Sequence, residues 1–253
     1  MFRYFLKISY LGTKYNGWQK QLNTNNTIQY HIDKALGILL KQNIKTYGSS
    51  RTDTGVHAMH QIAQFDSLYH INICKIKMLK SLNMILPYDI SILDIAHVNN
   101  KCHARYDAIY RTYRYNIHFN KDPYLSNISW LIINCNIDYD IIDKATQIIL
   151  NNNSFEAFSK KHEPSKNALC NIKSAFWIQN KQKITFFITS NRYLRSMVRI
   201  IVGIIIKTGL KKMPINRIQK IIDSKNIKNN NCELAPPQGL HLYNIEYPYN
   251  INF

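Results

Sequence analysis

The stretch Gly48-Ser49-Ser50-Arg51-Thr52-Asp53-Thr54-Gly55-Val56-His57-Ala58 lies between an extended run ending at Tyr47 and another beginning near Gln61. Small hydroxyl residues and glycines mixed with an arginine, an aspartate and a histidine suit neither a helix nor a core. The stretch reads as a shaped loop between two strands, a usual place for reactive side chains. Asp53 is at its centre, between Arg51 and His57. An aspartate in a turn commonly hydrogen-bonds its own backbone. Here it is also a scarce negative group, because the chain carries 33 Lys+Arg against 15 Asp+Glu. An anionic ligand drawn to that field would meet Asp53 as a nucleophile or a base.

Composition narrows the partner. With 253 residues, 45% hydrophobic and 12% aromatic, the chain can bury one large core or two small ones and is not a disordered protein. Its formal charge of +18 implies a polyanion, most simply a nucleic acid, whose phosphates attract cations through counterion release. A membrane surface would call for an amphipathic cationic helix or a lipidation signal, and neither is found. Residues 1–10 alternate like a strand rather than a signal peptide, and the apolar run Ile200 to Ile206 is broken by Gly203 and too short to span a bilayer. Cys74, Cys102, Cys135, Cys170 and Cys232 are widely spaced and odd in number. They argue for a reducing cytoplasm and against a structural zinc.

On the N-terminal side of the loop, Phe2, Tyr4, Leu6, Ile8 and Tyr10 alternate with Arg3, Lys7 and Ser9, the period of a half-buried strand. Residues 10–21 mix Gly12, Gly17, Lys14 and Lys20 with Tyr10, Tyr15 and Trp18. They read either as a hairpin-like connection or as an RNA contact of stacking faces and cations. Thr27 caps a helix that puts Ile28, Ile32, Ala35, Leu36, Leu39 and Leu40 on one face. Beyond the loop come a strand from His60 to Phe65, a helix from about Cys74 to Leu86 ended by Pro87, and a strand through Val98. His57 and His60 could share a metal, but without nearby Cys or clustered carboxylates they are read as polar ligands of loop backbone or RNA.

In 108–119 alternation places Arg111, Tyr113 and Tyr115 on one face and Tyr110, Thr112 and Arg114 on the other. That suits an ordinary strand, and equally a surface that stacks bases and pairs phosphates. A third helix is expected over Asp138–Leu150, core anchors at Phe155 and Phe158, a mobile loop over RNA at 160–173, and strands over Ile172–Gln179 and Lys183–Ser190. Asn191–Arg199 then enters a helix whose stripe is Leu194, Met197, Val198, Ile201, Val202 and Ile205, with Arg192, Arg195 and Arg199 together on another side. Arg199 opens a nearly all-apolar stretch, so its charge needs a partner if that stretch is buried. A last strand follows Ala235-Pro236-Pro237-Gln238-Gly239-Leu240-His241-Leu242. The fold class is α+β, in two adjacent sheet-and-helix domains, 1–105 and 106–253, with a basic cleft between them.

Ser50 to Ala58 resembles the signature loop of the tRNA pseudouridine synthase A (TruA) family, with Ser50 where Gly is usual and Thr54 where Ala is common. Residues 10–21 are similar to the family's Tyr-Asp-Gly to Gly-Trp-Gln motif, with Leu11 for Asp. Cys102-His103-Ala104-Arg105 resembles Phe-His-Ala-Arg, with Cys102 for Phe; Ser154 to Phe158 resembles a family turn, and 235–240 the closing Ala-Pro-Pro-x-Gly-Leu. The resemblance covers nearly the whole chain. It implies the two-domain pseudouridine synthase architecture, a cytoplasmic homodimer, tRNA as partner, and isomerisation of uridine to pseudouridine at positions 38 to 40 of the anticodon stem-loop.

By the same resemblance Asp53 is the catalytic residue, Tyr113 packs against the target base, and Arg199 pairs with Asp53 and keeps it ionised. Arg51 assists base flipping or clasps a flanking phosphate, and His57 is a further substrate-binding residue. No metal and no small-molecule cofactor is expected, since reactant and product are isomers. Two rivals remain: an RNA-binding module without catalysis, and a metal-dependent nuclease using Asp53, His57 and His60.

Overall fold

The computed structural model describes residues 1–133, 135–159, 169–224 and 233–253. Its elements are β1 (Phe2–Tyr10), α1 (Ile28–Leu40), β2 (Tyr47–Gly48), β3 (His57–Ser67), α2 (Lys75–Ile85), β4 (Ile90–Val98), β5 (Tyr110–His118), β6 (Trp130–Leu131), α3 (Tyr139–Leu150), β7 (Ile172–Gln179), β8 (Lys183–Ser190), α4 (Met197–Gly209), α5 (Asn216–Ser224) and β9 (Leu240–Glu246). The chain is α+β and forms two compact units, Met1–Arg111 with His241–Phe253, and Thr112–Leu240.

In the first unit β1 lies between β3 and β4, antiparallel to both. The alternation predicted for it holds, with Tyr4, Leu6, Ile8 and Tyr10 buried, yet Phe5 is buried as well. Phe5 packs with Ile62 and Ala104 beneath Ile245, Tyr247, Ile251 and Phe253. The middle of β1 is therefore covered on both faces rather than one. Thr27 caps α1 as expected, its side chain accepting the Tyr30 N–H at 3.4 Å, an interaction worth about 1 kcal/mol. α2 packs on β4 and α1.

The edge of β3 away from β1 is shared by two partners. β2 pairs antiparallel with its later half, Tyr47 opposite Gln64 and Gly48 opposite Ala63. β9 pairs in parallel with its start, His57 opposite His241 and Ala58 opposite Leu242. This is why β3 begins at His57, earlier than the sequence suggests: β9 supplies a ladder partner for residues that otherwise read as loop.

In the second unit the strand order is β5-β8-β7, with β6 alongside β5, and α3 packs on β7 and α4. α4 is buried nearly all round, Ile200, Ile204 and Ile206 as well as Ile201, Val202 and Ile205. The one-sided stripe is thus too narrow a description of it. The predicted grouping of Arg192, Arg195 and Arg199 on one helical face does not form. Ser196 precedes α4 with φ 62 in the left-handed region, which puts Arg192 and Arg195 outside the helix. α5, with Ile218, Ile221 and Ile222 buried, was not expected. Most of the loop expected at 160–173 lies outside the described residues.

Candidate active site

Asp53 lies in the connection 49–56 between β2 and β3, and the leading limb of that connection is tied down atom by atom. The Ser49 N–H donates to Ile62 O at 2.8 Å, extending the ladder by one residue. Gln61, 0% exposed, accepts at Oε1 from the Ser49 hydroxyl at 2.7 Å and the Ser50 N–H at 3.3 Å, and donates through Nε2 to Ser50 O at 2.7 Å. The buried Arg111 guanidinium donates to Ser49 O at 3.2 Å, Arg105 O at 2.6 Å and Ala108 O at 3.0 Å. Thr52 is held by Tyr10, hydroxyl to hydroxyl at 2.8 Å, and by Trp18, whose backbone N–H donates to Thr52 O at 3.1 Å.

Asp53 then opens a tight turn, its carbonyl accepting the Val56 N–H at 3.1 Å. Gly55 is the third residue of that turn, at φ 76, the position and sign for which a type II turn needs glycine. Ser50 has no positive φ; among the described non-glycine residues only Lys41, Ser196 and Lys211 do. Replacing the usual glycine there costs no left-handed strain.

Residues 10–18 are the buttress of this turn. A Cβ on Gly12 would fall 2.0 Å from Val56 O, and one on Gly17, at φ 89, would fall 2.7 Å from Thr52 O. Trp18, 1% exposed, fills the space beside Gly48, whose Cβ would meet its ring at 2.6 Å. Tyr10 and Tyr15 are buried too. Of the two readings of this segment, the stacking surface is therefore excluded for these three aromatics, although Lys14 and Lys20 are exposed.

His57, 1% exposed, accepts the Gly12 N–H at Nδ1 at 3.0 Å, so its ring proton is on Nε2. Its ring lies 4.7 Å from that of His241. Asp53 is half-buried and Arg51 exposed. The His57 ring lies against Gly12 and His241, whereas His60 lies near Lys7 and Tyr243. Burial and the nearby Lys7 hold His60 below the usual histidine range.

In the second unit Tyr113 is 7% exposed, with its ring edge-on to Tyr193 at 5.1 Å. The Tyr193 hydroxyl donates to Ile188 O at 2.8 Å. Arg199 Nε donates to Ala235 O at 2.7 Å, and the Ala235 N–H returns to Arg199 O at 3.1 Å. Tyr115 donates to Pro236 O at 2.7 Å, while a Cβ on Gly239 would meet its ring at 2.5 Å. The Ala-Pro-Pro-Gln-Gly segment thus fixes both Arg199 and the middle of β5. Burial pushes the Tyr115 hydroxyl well above the usual tyrosine range, so it stays a neutral donor.

Asp53 and Arg51 therefore lie in one loop of the first unit with His57 at the start of the strand that follows, while Tyr113 and Arg199 belong to the second. The residues that sequence reasoning missed are those that shape the loop: Gln61, Arg111, Gly12, Gly17 and His241. Gln61 carried a signal, being one of two amides, with Gln64, set among the apolar Ile62, Ala63 and Phe65.

A sequence model of the family described as tRNA pseudouridine synthase matches residues 7–107 and 150–248. The chain is 37% identical to tRNA pseudouridine synthase A of Bacteroides fragilis, covering 98% of each. It is 34% identical to that of Porphyromonas gingivalis, covering 99% of each. It is 33% identical to tRNA pseudouridine synthase A 2 of Bacillus cereus, over 98% of this chain and 100% of the relative. The chain belongs to the tRNA pseudouridine synthase A (TruA) family.

Proposed function

We propose that this protein isomerises uridine to pseudouridine in the anticodon stem-loop of tRNA, at positions 38 to 40, with Asp53 as the catalytic residue. The observation that carries this reading is a carboxylate at the head of a tight turn whose leading limb is fixed by Gln61, Arg111, Tyr10 and Trp18 and whose Gly55 N–H is taken by Tyr15 O. Such pre-positioning is what a group acting on a reacting centre requires.

In the reaction the bond from uracil N1 to the anomeric carbon breaks, the retained base turns, and C5 bonds to that carbon and gives up its proton while N1 takes one up. One proton is lost and one gained, and the bonding electrons stay within the nucleotide, so no oxidant or energy source enters. Asp53 acts as nucleophile or as stabiliser of positive charge at the anomeric carbon. By the family pattern Tyr113 stacks on the extruded base and is the candidate acceptor for the C5 proton, and Arg199 keeps Asp53 ionised. Extruding the base costs a few kcal/mol. The exposed Arg51, two residues from Asp53, is placed to assist it or to clasp the flanking phosphate. The buried His57 serves by holding Gly12, and through it the turn. The same reading takes the active species as a cytoplasmic homodimer.

Tritium release from tRNA transcribed with C5-tritiated uridine tests the proposal. Wild type is expected to release tritium in the presence of chelator, and Asp53→Asn to lose activity by roughly 10³-fold or more while still binding tRNA. Binding without release by wild type would leave an RNA-binding module, and chelator-sensitive strand cleavage a nuclease.

A further inference from the structure

Tyr88 and Lys14 stand beside the catalytic turn and have no part in the reading above. Tyr88 is 86% exposed, in contrast to the buried Tyr10, Tyr15 and Trp18 nearby. The Lys14 ammonium donates to its hydroxyl at 2.9 Å and lies 5.1 Å from the ring centroid. The cation therefore sits at the hydroxyl end of an exposed ring.

Both backbones are held in the frame that holds Asp53. Tyr15, next to Lys14, accepts the Gly55 N–H at 3.4 Å, inside the turn that Asp53 opens. Asn26 Nδ2 donates to Lys14 O at 2.5 Å. On the other side, the Leu11 N–H donates to Asp89 O at 2.9 Å, and the Tyr15 hydroxyl donates to the Asp89 carboxylate. An exposed ring and a cation on a rigid frame add little to the fold, and they are pre-organised for a ligand. A cation beside an exposed aromatic ring matches a phosphodiester followed by an unstacked base.

We propose that Lys14 and Tyr88 form a subsite for the RNA strand flanking the target uridine, Lys14 taking a phosphate oxygen and Tyr88 the face of a neighbouring base. The inference rests on the isomerase reading for the identity of the RNA, and its geometry lies wholly within the first unit. The subsite acts on binding, not on the chemical step.

The test compares Lys14→Ala, Tyr88→Ala, Tyr88→Phe and a control, Lys101→Ala, by tRNA binding at several salt concentrations and by tritium release. Lys101 is exposed and follows the opposite end of β4 from Tyr88. Tyr88→Ala is expected to raise both Kd and KM by about 5- to 30-fold. Lys14→Ala should raise them about 3- to 10-fold and lower the salt slope by about 0.7 to 0.9, with kcat within about twofold in both. Tyr88→Phe keeps the ring and should stay within about threefold of wild type, and Lys101→Ala should match wild type. Unchanged Kd and KM in the alanine variants, a fall in kcat alone, or an equal loss in Lys101→Ala would overturn the subsite. Wild type that binds tRNA without releasing tritium would overturn the isomerase reading only, and the binding comparison would still decide the subsite.

Discussion

Two stretches of this chain interleave aromatics with cations, 10–21 and 108–119, and the fold uses them in opposite ways. In the first the aromatics are inside and the lysines outside. In the second the cation goes inside: Arg111 is buried on the same face as Tyr113 and Tyr115, its donors taken up by three backbone carbonyls. Glycine makes the first difference, because Gly12 and Gly17 let the backbone touch the Asp53 turn and leave the aromatics to fill what remains. Strand parity makes the second, because a period of two fixes which face Arg111 must take. Interleaving of this kind signals a functional neighbourhood without saying which residue type faces the ligand.

The contrast should break hardest at Gly12. A methyl group there collides with Val56 O, so Gly12→Ala must push the turn aside. A displacement of about 1 Å at the reacting groups can cost on the order of 10²-fold. We expect a fall of that size in tritium release, with a lowered Tm; retention of both would end the buttress description. Arg111→Ala should come next, costing about 2–3 kcal/mol because buried carbonyls lose their donors, with a several-fold loss of kcat. Its tRNA salt slope should not change, whereas a phosphate-binding arginine would lower the slope and leave Tm alone. Arg111→Lys should restore only part of the stability, since one ammonium cannot span three carbonyls.

The smallest effect is expected at Arg3, which also grips carbonyls, Asn100 O and Cys102 O, but is paired with Asp66 at 2.7 and 2.9 Å. Arg3 holds the Asp66 carboxyl below its ordinary value of 3.8. A depressed carboxylate stabilises the fold above its unfolded pKa, and that contribution is lost as pH falls through the folded one. Asp66→Asn should flatten the acid side of the Tm profile by less than about 1 kcal/mol, because the pair is largely solvent-screened.

What could be read in the sequence was local. The alternation of β1, the Thr27 cap, the limits of β7 and β8 and the composition of the Asp53 loop each depend on a few neighbouring residues. The illegible parts depend on distant ones: β3 starts at His57 because β9 is there, and β1 is covered twice because 245–253 returns to it. The misplaced arginine face near α4 turned on Ser196 alone, a left-handed residue with no glycine to announce it. α5 had its pattern in Ile218, Ile221 and Ile222, but over so short a span that nothing separated it from a loop.

The parallel pairing of His57 with His241 also sets a timetable. The residues of the Asp53 loop are made early, yet the strand that closes their edge is made only after all of Thr112–Leu240. Until then the start of β3 presents an open edge, the kind of surface that recruits wrong partners. Closing it means joining two ends across a long stretch of chain, a slow step for any fold. A nascent chain halted before residue 240 would carry Asp53, Arg51 and His57 and still lack the strand that frames them.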